Sequence, residues 1–126
     1  LRFLTGEPPE LAQKARAIVA AADAGDVELV VLPLIVAETV YTLESFYKIG
    51  ASVVVPQLMA FLQSRGIRIE EEERILDALQ RHREKNVHFA DAYLAACAAE
   101  KEIPVVSFDR DFGRFDDIRW IEPTAK

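Results

Sequence analysis

Residues 86–112, NVHFADAYLAACAAEKEIPVVSFDRDF, restrict the possible folds more than any other stretch. They read as a loop, an Ala-rich helix, a short apolar strand and a turn carrying acids. Asp91 stands in the first turn of the helix, and Asp109 and Asp111 follow directly on the strand at 104–107. One helix followed by one parallel strand is enough chain to return both carboxylates to the same edge of a sheet. In open α/β sheets that edge, at the carboxyl ends of the strands, is where ligands sit.

The rest of the chain repeats this alternation. Pro8 and Pro9 open a helix in which Leu11, Ala15, Ile18, Val19 and Ala22 keep helical spacing, and Gly25 ends it. A strand at 28–32 (ELVVL) precedes a helix from Pro33 to about Ile49, with Gly50 as its stop. Ser52 is placed to cap a third helix, which ends near Arg65 and Gly66. Its residues Val53, Val54, Leu58, Phe61 and Leu62 exceed what one helical face needs, so part of this helix is expected in an interface. Residues 67–70 (IRIE) alternate like a short strand. Residues 71–85 follow as an amphipathic helix with acids in its first turn and bases in its last, as the helix dipole favours. Its buried face is Ile75, Leu76 and Leu79. A last strand lies near 118–121. Strands alternating with helices predict an α/β fold with a mainly parallel sheet, in one domain over residues 1–126.

Several function classes drop out on simple grounds. The longest run free of polar side chains, 29–37, is too short to span a bilayer, so no membrane partner is expected. The single cysteine, Cys97, permits no internal disulfide and suits a reducing, cytoplasmic setting. Inside its Ala-rich helix it reads as a small buried hydrophobe. His82 and His88 are too few for a His/Cys zinc site, and His88 suits a loop or capping role. A net charge of −6 argues against broad nucleic-acid binding by charge alone, so any RNA contact must be local.

The acids carry the chemistry. Glu38 is the only charged residue between Leu29 and Leu43. A carboxylate in such a run is costly to bury unless it is paired or bound to a cation; the alternatives are a buried Glu–Arg pair or a side chain that reaches the surface. Asp91 also offsets the helix dipole, and it shares its face with Ala95 and Ala98, which let other groups approach closely. Asp109 and Asp111 are ordinary turn residues taken singly. Taken together, the four acids can meet, and clustered carboxylates repel unless a divalent cation joins them. Ligands that are all oxygen point to Mg²⁺ or Mn²⁺. Such ions activate water and stabilise charge on a phosphoryl group, so phosphodiester hydrolysis is the reaction class suggested. Arg110 and Arg114 flank the acids and can hold a phosphate; pairing with Asp116 and Asp117 is the more ordinary role. Tyr41, Tyr93 and Phe108 can stack on bases, but their spacing suits core packing.

The segments LPLIVAETVYTLE, HFADAYLAA and VVSFDRDF resemble, in order and spacing, the PIN domain, and most closely the VapC-type toxins of bacterial and archaeal toxin–antitoxin systems. The resemblance implies a three-layer α/β/α fold with a mainly parallel sheet. Four strands are visible; a fifth, N-terminal and central, is expected between ELVVL and PVVS, and its Asp would be the family's first ligand. The sequence starts at LRFLTGEPPE, which resembles the tail of the following helix, so the domain is expected to be N-terminally incomplete. The implied activity is a metal-dependent endoribonuclease. Glu38, Asp91 and Asp109 fall on the family's acidic ligands, and Asp111 on a supporting or alternative position. The implied partners are an RNA substrate, a cognate antitoxin that covers the acidic pocket, and further copies in a homodimer or larger assembly. Two rivals are a non-catalytic PIN-like module binding RNA or protein, and a phosphatase of the haloacid dehalogenase type suggested by FDRDFG.

Overall fold

A computed structural model describes residues 9–124 of the chain. The elements in order are α1 (Pro9–Asp23), β1 (Leu29–Val31), α2 (Pro33–Ser45), α3 (Ala51–Leu62), β2 (Ile67–Ile69), α4 (Glu72–Lys85), α5 (Phe89–Lys101), β3 (Val105–Val106), a 3₁₀ turn (Arg110–Arg114) and β4 (Trp120–Ile121). The fold is a helix-rich α/β arrangement with parallel strands. β1 pairs with β2, Leu29 opposite Ile67 and Val31 opposite Ile69. β3 pairs with β4, Val105 opposite Trp120 and Val106 opposite Ile121. Among the described residues, β1 and β3 do not pair with each other. ELVVL and PVVS are thus separate, as expected. The expected features at Leu1 to Pro8 lie outside the described residues.

Two apolar clusters hold these elements. The first joins Val36 and Val40 of α2, Val55, Leu58 and Leu62 of α3, Ile69 of β2, Ile75 and Leu79 of α4, and Phe89 and Ala96 of α5. The second joins Val87, Ala92, Ala95, Ala98, Val105, Phe112 and Phe115. Helix α5 contributes to both, with Phe89 and Ala96 in one and Ala92, Ala95 and Ala98 in the other. Burying each large side chain here contributes about 1.5–3 kcal/mol relative to leaving it exposed.

Local sequence explains most element ends. Pro33 opens α2, where its missing N–H costs nothing. In α4, Glu72 and Glu73 stand in the first turn and His82, Arg83 and Lys85 in the last. Asn86 ends α4 in the left-handed conformation that asparagine tolerates. Helix α2 stops at Ser45, four residues before the expected end, and Lys48 then takes a left-handed turn. Ser52 does not cap α3. The helix begins two residues earlier than expected, so Gly50 holds the N-cap position and no side chain bonds there.

Two expectations about apolar faces need correction. Leu11 and Ile18 of α1 are exposed, while Ala12 and Ala22 are buried. Ala22 faces inward because the backbone at Gly66 comes directly against it. In α3, Val54, Leu58 and Leu62 are buried and Phe61 packs on the first cluster, so only Val53 stands exposed of the five supposed interface residues. The helix uses its apolar surplus in its own core, against α4 and β2.

Gly66 has a positive φ of 83°, and a Cβ there would lie 2.1 Å from the Ala22 carbonyl oxygen. Gly66→Ala is expected to lower stability by about 1–3 kcal/mol from backbone strain, and further from the clash. Chemical denaturation followed by circular dichroism checks this; a midpoint equal to wild type would refute the close α1–β2 contact.

Candidate metal centre

Three of the expected acids converge. Asp91, Asp109 and Asp111 each offer a carboxylate oxygen, and these oxygens lie within 4.8 Å of one another. The chain places them by short-range means. His88 is the residue before α5; its carbonyl accepts from the Ala92 amide at 3.0 Å, and Asp91 then falls in the first turn. The His88 side chain makes no capping bond. On the other side, the Ser107 Oγ accepts from the Asp109 amide at 3.0 Å, as β3 gives way to the acidic turn. The Asp109 Oδ1 in turn accepts from the Asp111 amide at 2.9 Å and opens the 3₁₀ turn. The Trp120 indole N–H donates to the Ser107 carbonyl at 2.9 Å, fixing the strand end from which the acids project.

The electrostatics follow from this crowding. Burial, first, then the charge of Asp109 and a hydrogen bond with it, push the Asp91 carboxyl above the usual carboxylate range. Asp111 adds to the shift and His88 opposes it. Asp109 itself is exposed, and Asp91 and Asp111 are half-buried.

Glu38 is not part of this trio. It is exposed on α2 and makes no hydrogen bond or ion pair with a described residue, so the cost of burying a lone charge does not arise. It faces a cavity of about 620 Å³ whose wall also includes His88 and Ala90, next to Asp91 in sequence. The apolar run around Glu38 reflects one buried face, Val36, Val40 and Leu43, and not a fully buried helix.

The flanking arginines differ from expectation too. Neither Arg110 nor Arg114 pairs with Asp116 or Asp117 among the described residues. Asp117 is held by Arg81, whose Nη1 donates to it at 2.8 Å while its Nε reaches Asp77 at 3.0 Å. Arg114 donates to the Lys85 and Asn86 carbonyls at 3.1 and 3.0 Å and lies 3.5 Å from Asp111. It thereby ties the acidic turn to the carbonyl end of α4, where the dipole favours a cation. Arg110 is exposed.

Among the aromatics, Tyr41 and Phe108 are exposed and do not pack in the core as their spacing suggested. Tyr93 packs against the first cluster, and its hydroxyl donates to Glu71 at 2.5 Å. Cys97 is half-buried, less enclosed than expected. Two polar groups escaped the sequence reading. Ser107 has no signal beyond its place at a strand end. His82 did have one: it continues the buried stripe of Ile75 and Leu79 at helical spacing, and it is the buried polar side chain of the described residues.

Donors that are all oxygen, close together and mutually repelling, suit a hard divalent cation. Among the described residues, no helix is long and apolar enough to cross a membrane. The family described as PIN domain matches residues 1–118 of the chain. A relative, Ribonuclease VapC37 of Mycobacterium tuberculosis, is 54% identical over 35 residues, which is 28% of this chain and 24% of that protein.

A carboxyl raised in the folded state contributes stability that is complete below its unfolded value, about 3.9, and lost as pH rises through the folded value. In metal-free protein, Asp91→Asn is therefore expected to melt at or above wild type at neutral pH. The gap should close as pH falls toward about 4, where wild type recovers. Melting curves across this range check the sign; an Asn variant less stable at pH 7 would contradict the repulsive cluster.

Proposed function

Since the chain belongs to the PIN domain family, we propose that it is a metal-dependent endoribonuclease, the toxin of a toxin–antitoxin pair. The observation that carries this is the convergence of Asp91, Asp109 and Asp111 at the end of β3. A relative named as a ribonuclease supports RNA as the substrate. Asp91, Asp109 and Asp111 would hold Mg²⁺ or Mn²⁺. Glu38, on the wall of the cavity that His88 and Ala90 also line, would complete the set, directly or through water. When bound, the ion lowers the pKa of a water and neutralises charge on the phosphoryl group.

The protein's own groups do the remaining work. The acids orient the attacking water, whose oxygen adds to phosphorus as one P–O ester bond breaks. The water's proton passes to solvent or to a carboxylate, and the leaving oxygen takes a proton in exchange. Arg110, exposed beside the acids, is free to meet a phosphate; Arg114, half-engaged with α4, offers a second contact. A fifth carboxylate, on the N-terminal strand that the resemblance implies, would join the same edge. The exposed apolar side chains Leu34 and Tyr41 of α2 and Phe46 just beyond its end are suited to an antitoxin or to a second copy. The cytoplasm is the setting in which such a pair would act.

RNA cleavage by the full-length gene product tests the reading. Activity is expected to vanish in EDTA and return with Mn²⁺ or Mg²⁺. Asp91→Asn and Asp109→Asn are each expected to lose more than the roughly 10–100-fold that loss of a group supporting a ligand costs, with unchanged circular dichroism. Cleavage that survives EDTA, or survives Asp91→Asn, would sink the assignment. RNA binding without cleavage would instead favour a non-catalytic module.

A further inference from the structure

We infer that His82 is a positioning residue for the acid site, tying the helix that carries Glu38 to the loop that starts the helix of Asp91. The inference rests on the reading of the acids as a metal site. His82 is 7% exposed, in the last turn of α4. Its Nδ1 lies 2.5 Å from the Val87 carbonyl oxygen, which can only accept, so Nδ1 bears the hydrogen and donates. Its Nε2 lies 2.6 Å from Glu44 Oε2, and the ring meets Phe89 edge-on at 6.0 Å.

Each partner leads to the acids. Val87 is buried and immediately precedes His88, whose carbonyl receives the first amide bond of α5. Glu44 lies on α2 on the same cavity wall as Glu38, and His82 forms part of that wall. One ring therefore bonds the two segments, α2 and the start of α5, that carry Glu38 and Asp91. Packing alone does not call for it. An apolar side chain would continue the stripe of Ile75 and Leu79 without two buried polar bonds to satisfy. The polar ring adds direction, as groups that hold a metal ligand in place do.

The test uses the full-length gene product, with Mn²⁺ alone as the probe, bound metal being followed by electron paramagnetic resonance. His82→Phe keeps an aromatic ring in the slot and removes both bonds. It is expected to hold its metal-free melting temperature within a few degrees and to weaken Mn²⁺ binding by about 10–100-fold. Glu44→Ala should weaken binding similarly, and the double variant no further. Glu44→Gln, whose amide can still bond the ring, should restore most of the affinity. Hydrogen exchange of the Ala92 amide should quicken in His82→Phe while the amides of Ile75 and Leu79 are unchanged. Should His82→Phe fail to fold, the Glu44 pair carries the same comparison. Equal Mn²⁺ affinity in wild type, His82→Phe and Glu44→Ala overturns the inference and leaves the metal reading in place. No Mn²⁺ binding by wild type overturns the metal reading, and the positioning role with it.

Discussion

Helix α5 must pack on two sides at once, and small side chains make that possible. Phe89 and Ala96 enter the larger apolar cluster, while Ala92, Ala95 and Ala98 let the second cluster close against the opposite face. An alanine loses no side-chain rotamers in a helix and permits close approach of a neighbouring backbone. A larger residue at any of these three positions would push β3 and the 3₁₀ turn away from α5. Because Asp91 starts this helix and Asp109 and Asp111 hang from the turn, the meeting of the acids depends on that close packing.

Bringing three carboxylates together works against folding, and the chain offsets it with local bonds. Asp109 is held between the Ser107 hydroxyl and the Asp111 amide, and Arg114 reaches from the turn to the end of α4. Each is a modest interaction of about 0.5–1.5 kcal/mol, somewhat more where a charge takes part. Together they fix the direction of side chains that repulsion would otherwise scatter. The exposure of Asp109 limits the cost further, because water screens one member of the group.

Much of this was legible in the order of residues. Alternating apolar runs and helical spacing gave every described element, with ends shifted by a few residues where a left-handed turn intervened, as at Lys48. The convergence of Asp91 with Asp109 and Asp111 followed from one helix and one strand between them. What sequence spacing does not reveal is what stands opposite a given face. Tyr41 and Phe108 have spacing suited to a core, yet no described element covers them. Glu38 sits in an apolar run, yet its own side of α2 faces a cavity. His82 entered only the count of histidines too few for a zinc site, when its position in the Ile75–Leu79 stripe was the informative property. The chain spans about a quarter of the length of the ribonuclease relative it matches.

The division into two clusters bears on how long the site lasts. The second cluster is the smaller, and the strands that belong to it, β3 and β4, are two residues each. It is fastened to the rest by the Trp120–Ser107 bond, the Arg81–Asp117 pair and the Arg114 contacts. Segments with few buried contacts open more often than the whole molecule unfolds. When 105–121 opens, Asp109 and Asp111 leave while Asp91 and Glu38 stay with the larger cluster. The acid centre therefore has a shorter lifetime than the fold that carries it. A protease that cuts within the opened segment would break up the acid trio while most of the protein remained intact.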